Sequence, residues 1–322
     1  MKAKLLAGLN DCESTKYKQS ELYQKYVLAN YQYTDTCIDY YTDYFNYEHK
    51  NFSIVVFDET ETPVQVLYAF ATLSVFSYFE QPVSIVEVLF NNSIDKNKSY
   101  RALLNKLNEV LVFNSFHRIK FYNNDYLCAE FYSKIVSSEP EYNCQIDLSL
   151  SEEVIKGNIR KSYKSLVNWG EKNISLSLID KNNADNEKFL EFRDFHIFIS
   201  GRKTRSDKSW DLQFESIKKN EAYLLLGYLS NKLVSGSLIL HGKTKAYYGV
   251  GVYDRKLMDE NIAVSHSNIL SSIYHAKKIG LETINLGFIG AFSEENKEKN
   301  IFKFKSGFTP TINTSIKLDC NI

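Results

Sequence analysis

The order of elements in the two halves of the chain constrains the fold more tightly than any single motif. In the first half, strand signals run in series over residues 52–57, 64–73 and 83–90, with turn-like stretches between them. An amphipathic helix follows over 99–115, with Leu103, Leu104, Leu107, Val110 and Leu111 at helical spacing. A strand at 118–122, a helix near 126–136 and a strand at 143–148 complete that half. The second half opens with a helix over 152–169, with Ser149 and Glu152 spaced as a capping box. A strand at 174–179 and helices over 186–199 and 209–219 lead to a meander, 222–229, 233–240 and 246–253. A long helix over 262–279 stops at Gly280, before a strand at 283–286. Two copies of one order, three strands then helix then strand, predict an α/β protein in which a mixed sheet is flanked by helices. The expected domains are residues 1–148 and 149–322.

Composition narrows the class. The chain has 322 residues, more than one typical domain holds. Its 39 basic residues balance 39 acidic ones, so any basic site must arise by local segregation. The five cysteines are odd in number and never form a C-x-x-C pair, which fits a reducing compartment and gives no zinc spacing. The six histidines show no metal spacing either, so no metal is expected. No stretch reaches the apolar length of a spanning helix, and the N-terminus lacks the apolar run of a secretory signal. The expectation is a soluble, cytoplasmic protein without membrane insertion and without a DNA partner.

Conventional catalytic motifs are missing: there is no G-x-S-x-G elbow, H-E-x-x-H or Walker loop. Three basic clusters remain. Lys156, Arg160 and Lys164 are spaced by four on the helix that opens the second half, where a solvated face is the plain alternative. The loop 201–208 carries Arg202, Lys203, Arg205 and Lys208; arginine there can grip a phosphate or carboxylate with two parallel bonds. The stretch 301–310, IFKFKSGFTP, interleaves Lys303 and Lys305 with phenylalanines. On a strand both lysines share one face, and they either meet water at an edge or line a site. The glycines of 248–252, YGVGV, lie inside a strand pattern and suggest a bulge or a close backbone approach. His266 opens a helix, and nothing near it in sequence would orient it as a base.

In their order, the second-half features resemble the Fem aminoacyl-transferase family, whose fold is a tandem pair of GNAT-like N-acyltransferase domains. They are the Arg160–Lys164 helix, the loop with Gly201 and Arg205, and the meander through Tyr248 to Asp254. The helix start near Asn261, then Asn285-Leu286-Gly287, then Phe304-Lys305 with Phe308, complete the set. The resemblance covers most of residues 150–310; the first half matches in element order alone. It implies that Lys305 lies at the reaction centre and that Arg205 grips the acceptor, with Tyr248, Arg160, Lys164 and Asn285 as further substrate-binding candidates. Two departures stand out. Asn285 occupies a place where the family often has an acid, and the long helical hairpin of many tRNA-using members is missing. The glycine-rich pyrophosphate loop of ordinary acetyl-CoA enzymes is missing too.

The resemblance implies an acyltransferase of the GNAT/Fem type. The expected reaction moves an acyl group, in first place acetyl from acetyl-CoA, to an amino group of a nucleotide-linked or phosphorylated amino sugar. Such acceptors belong to bacterial surface polysaccharide biosynthesis. The alternative donor is aminoacyl-tRNA, acting on a cell-wall or surface-glycan precursor. A reading from another class is a non-catalytic binding module that kept the GNAT fold.

Overall fold

The strand signals of the first half become a meander in the computed structural model, which describes residues 1–45, 48–73, 83–90, 95–122, 130–288 and 295–322. Here β1 (Lys2–Leu5), β3 (Ile54–Phe57), β4 (Pro63–Leu73), β5 (Val83–Phe90) and β6 (Arg118–Tyr122) are neighbours in that order, and β2 (Glu48–Asn51) also pairs with β4. The step from β5 to β6 is parallel, and α3 (Lys96–Phe113) makes the crossover. Asp95 caps that helix by accepting from the backbone N–H groups of Asn97 and Lys98, which sets its start ahead of the expected residue 99. Leu103, Leu107 and Leu111 are buried against Ile54, Val56, Leu67, Ile119 and Phe121. The chain terminus, in β13 (Ile312–Asn321), pairs antiparallel with β6. This unit comprises Met1–Leu28, with α1 (Asp11–Gln19), together with Phe45–Glu141 and Thr314–Ile322.

The second unit comprises Ala29–Tyr44 and Tyr142–Asn313. Its strands lie in the order β7 (Ile135–Asp147), β12 (Thr283–Phe288), β11 (Lys245–Tyr253), β10 (Lys232–His241), β9 (Ala222–Leu229) and β8 (Ser175–Ile179). On one face α4 (Glu152–Asn158), α5 (Lys161–Asn173) and α9 (His266–Lys278) bury Ile155, Val167, Ile269 and Ile273, with Ile159 of the α4–α5 break, against Ile239, Ala246 and Ile284. The other face carries α6 (Asn186–Ser200), α7 (Asp207–Lys218) and α2 (Asp35–Phe45). They place Phe189, Phe192, Trp210 and Cys37 against Leu224, Leu226, Leu238, Val250 and Val252. Each fully buried phenylalanine contributes about 1.5–3 kcal/mol of transfer free energy.

Two features of this sheet shape the site. Leu238 pairs with Val250 but Ile239 pairs with Tyr248, so Gly249 is the extra residue of a bulge, as the glycines in the strand pattern suggest. The parallel pair β11 and β12 keeps register only through Tyr247↔Asn285, after which the two strands run on without pairing to each other.

Several expectations need correction. Residues 301–305 belong to a helix, α10 (Asn296–Lys305), and not to an edge strand. The alternation of lysine and phenylalanine mimics a two-residue period. The contact that forms is Phe304 with Phe308, four residues apart and 5.5 Å between ring centroids. The helix expected over 152–169 breaks into α4 and α5. Ile159 and Arg160 leave helical geometry at the break, so Lys156, Arg160 and Lys164 do not form one continuous stripe. Ser151 caps α4 by accepting from the N–H of Val154, in place of the expected box of Ser149 and Glu152. The helix expected near 126–136 falls partly on residues outside those described, and from Ile135 the chain is strand. The helix α9 begins at His266, after a short helix α8 (Arg255–Asp259).

Candidate active site

Lys305 ends α10, and its position is fixed by the residues around that helix terminus. The last carbonyls of a helix lack intrahelical partners. Here the Tyr163 hydroxyl of α5 lies 3.2 Å from the Lys303 carbonyl and 3.4 Å from that of Phe304. Arg160 donates its backbone N–H to the Gly307 carbonyl at 2.8 Å, and its Nη2 donates to the Ser306 hydroxyl at 3.3 Å. Gly307 is required by close approach: a Cβ on it would stand 2.1 Å from the Tyr163 ring. The basic start of α5 therefore clamps the helix that carries Lys305.

The Lys305 side chain reaches the point where β11 and β12 part. Gly287 has a left-handed backbone, φ 89°, which favours glycine, and its N–H donates to the Asn285 side-chain oxygen at 2.7 Å. A Cβ added to Gly287 would stand 3.0 Å from the Lys305 Nζ and 3.2 Å from the Tyr247 hydroxyl. Burial pushes the Lys305 ammonium down to about 8, and the nearby Cys144 thiol acts weakly in the opposite sense. Burial likewise pushes that thiol up to about 11. Burial also raises the Tyr247 hydroxyl above the ordinary tyrosine range, which keeps it protonated at neutral pH.

Arg205 lies on the face of the second unit that bears α2. Its guanidinium carbon sits 5.3 Å from the Tyr44 ring centroid and 5.0 Å from that of Trp210. Cation–π contacts of this kind contribute about 0.5–2 kcal/mol. Nε donates to the Tyr40 hydroxyl at 3.0 Å, and Nη1 donates to Thr204 at 3.1 Å and to the His196 ring at 3.2 Å. Burial first, then the Arg205 charge, pushes His196 down to about 4, so its imidazole is a neutral acceptor. Among the described residues no carboxylate pairs with Arg205. Its Nη2 hydrogens make no bond to a described residue and can meet an anion. Tyr41, next to Tyr40 on α2, feels both Tyr247 and Arg205 electrostatically.

The sequence-predicted residues thus divide. Lys305 and Asn285 meet at Gly287, while Arg205 stands across the α2 tyrosines. Tyr248 points to the opposite face of the sheet from Tyr247, into a buried polar cluster with Tyr253, Ser237 and Asn268. Lys164 donates to the Gly157 carbonyl at 3.1 Å, Arg160 holds Ser306, and Lys156 pairs with Glu171 at 2.9 Å. The sequence reading missed Tyr247, Gly287 and the α2 tyrosines. The alternation along 245–253 puts Tyr247 and Tyr248 on opposite faces but carries no sign of which face meets Lys305. Nothing local marks α2 as part of the second unit.

Every residue from Ala263 to Leu270, which spans the first turn of α9, is buried. Tyr163 meets His266 edge-on at 4.4 Å, and a Cβ on Gly170 of α5 would strike the Ser267 side chain. The start of α9 is therefore buried, with α5 packed against the side chains of His266 and Ser267.

No protein-family model and no curated protein matches the chain. Solved structures do. FemX superposes with a TM-score of 0.67 at 12% identity, covering 100% of this chain and 98% of that one. The fold is that of the Fem-like tandem GNAT proteins. The C-terminal domain of a candidate lysylphosphatidylglycerol synthetase from Agrobacterium fabrum is similar over 96% of this chain and 92% of its own, with a TM-score of 0.59 and 13% identity. A tandem GNAT protein from the clavulanic acid biosynthesis pathway covers 85% of this chain and 83% of its own, with a TM-score of 0.51 and 11% identity. Among the described residues no group of three or more His, Cys, Asp or Glu side chains could hold a metal ion. No described helix is long and apolar enough to cross a membrane.

Proposed function

We propose that the chain is an acyltransferase whose second unit joins an activated acyl group to an amino group of an anionic acceptor. The observation that carries this reading is the Lys305 ammonium, held at the Cβ-less face of Gly287 where β11 and β12 separate. Acyl transfer passes through a tetrahedral oxyanion. A preorganised donor at that oxygen supplies about 3–4 kcal/mol of transition-state stabilisation. With its pKa near 8 the lysine is mostly a cation at neutral pH. The amine nitrogen attacks the acyl carbon, and the carbonyl electron pair moves onto oxygen beside Lys305. The carbonyl then reforms as the bond to the leaving sulfur or oxygen breaks, and that atom takes the proton the amine gives up.

Arg205 is the anchor for the acceptor's anionic group. Its guanidinium is preorganised by Tyr40, Tyr44, Trp210 and His196, and its Nη2 makes no bond to a described residue. A nucleotide-linked amino sugar of the kind used in bacterial surface polysaccharides offers both the anion and the amine. For the donor, covering of the α9 start weighs against the expected acyl-CoA, because CoA would need an open seat for its pyrophosphate. We therefore favour an aminoacyl ester such as aminoacyl-tRNA. Among the structural neighbours, one is named as a lysylphosphatidylglycerol synthetase and another is described in a form without acetyl-CoA.

The test offers radiolabelled bulk aminoacyl-tRNA and radiolabelled acetyl-CoA separately to a panel of nucleotide-linked amino sugars. Label should pass to acceptor from aminoacyl-tRNA. Transfer from acetyl-CoA alone would restore the CoA reading, and transfer from neither would count against the enzyme.

A further inference from the structure

The geometry points to Tyr247 as a second donor to the oxyanion, completing with Lys305 a two-donor hole over Gly287. This inference rests on the acyl-transfer reading and names a catalytic residue beyond it. The Lys305 Nζ and the Tyr247 hydroxyl lie 3.0 and 3.2 Å from one point, the place where a Cβ on Gly287 would stand. The two groups are thus no more than about 6 Å apart, and an oxygen between them can reach both at hydrogen-bonding distance. Gly287 leaves that space open because it has no side chain.

Three other observations fit. The Gly287 N–H, which would otherwise face a developing charge, is already given to Asn285 at 2.7 Å, so the hole must draw its donors from side chains. Tyr247 is the last β11 residue paired with β12, so its ring stands at the rim of the opening and not inside the sheet. It is also 37% exposed, whereas Tyr248 is committed to the buried cluster on the other face. The step balances as before: as the amine adds, the carbonyl oxygen gains the electron pair and accepts from both Nζ–H and O–H. As the leaving group departs, the carbonyl reforms and the tyrosine keeps its proton throughout.

The experiment has two arms on the full chain. In the first, Tyr247→Phe should lower turnover about a hundredfold, the loss typical of one oxyanion donor, with little change in the acceptor's KM. If Lys305→Met abolishes transfer while Tyr247→Phe leaves it intact, the two-donor hole is wrong and the acyl-transfer reading survives. If neither change matters, both fail. The second arm needs no substrate. Inorganic phosphate is titrated against the NMR signal of the Lys305 side chain, assigned by its loss in Lys305→Met. Phosphate should move that signal in the parent protein and bind at least tenfold more weakly in Tyr247→Phe. No response in the parent, or equal affinity in both proteins, overturns the inference.

Discussion

Arg205 donates from Nη1 to Nε2 of His196 across 3.2 Å, and Nδ1 of the same ring faces the Ser200 hydroxyl at 3.4 Å. A neutral imidazole with its proton on Nδ1 satisfies both contacts. Nε, held by Tyr40, and Nη1, held by His196 and Thr204, fix the guanidinium in place, and Nη2 makes no bond to a described residue. Under the proposed role, in which Arg205 holds the acceptor's anionic group from bound substrate to transition state, Arg205→Ala should raise the acceptor's KM tenfold or more and change kcat little. Steady-state kinetics against acceptor concentration distinguish this from a loss of kcat, which would place Arg205 at the reaction centre.

The same imidazole, buried and beside Arg205, sets a dependence of stability on acid. Folded His196 titrates near 4, below the ordinary histidine value of 6.5, because burial and Arg205 oppose its charge. Between those values the unfolded chain binds the extra proton, so stability present above pH 6.5 is lost as pH falls towards 4. His196→Gln keeps an acceptor for Arg205 and removes the titration. It should flatten this limb in part, since His266 is also pushed down to about 4 by burial. Denaturation midpoints at pH 7 and pH 5 check the claim; an unchanged difference between them would contradict it.

Gly307 gives a sharper structural test. Its missing Cβ admits the Tyr163 ring, and Tyr163 reaches the carbonyls at the end of α10. Gly307→Ala should cost about 1–3 kcal/mol of stability by overpacking. It should also lower turnover, because the clamp on Lys305 shifts. Denaturant unfolding and a rate assay on the same sample read both effects, and full stability with full activity would refute the clamp.

Much of this architecture was legible in the sequence, because strand and helix periods are local signals. The meander 222–253, the bulge glycine and the hydrophobic stripe of α9 all follow from residues within a few positions of one another. Lys305 is legible as a site candidate, although the lysine–phenylalanine alternation of its helix has the period of a strand. Two features were not legible. Residues 29–44 belong to the second unit through contacts far away in sequence: Tyr31 with Ser216, Thr36 with Lys219, and Tyr40 with Arg205. The choice between Tyr247 and Tyr248 depends on which sheet face meets Lys305, and adjacent tyrosines carry no mark of that.

Lys305 also predicts opposite trends with alkali. Its folded pKa, near 8, lies below the ordinary lysine value of 10.5. Over that window the folded chain holds fewer protons than the unfolded one, so this residue's contribution makes stability rise with pH. Turnover should fall over the same range as the ammonium is lost. Lys305→Met should remove the stability rise, and unfolding curves at pH 7.5 and 9.5 measure it. An equal rise in the variant would exclude Lys305 as its source.

Lys305 and Lys303 lie two residues apart on one helix, the first half-buried at Gly287 and the second exposed. Comparing the turnover of Lys305→Met with that of Lys303→Met, both folded and assayed with the same donor and acceptor, tests the central claim most directly. The ammonium at the oxyanion predicts a loss of about a hundredfold or more for Lys305→Met and near-parent turnover for Lys303→Met. Small and equal effects from both changes would contradict it.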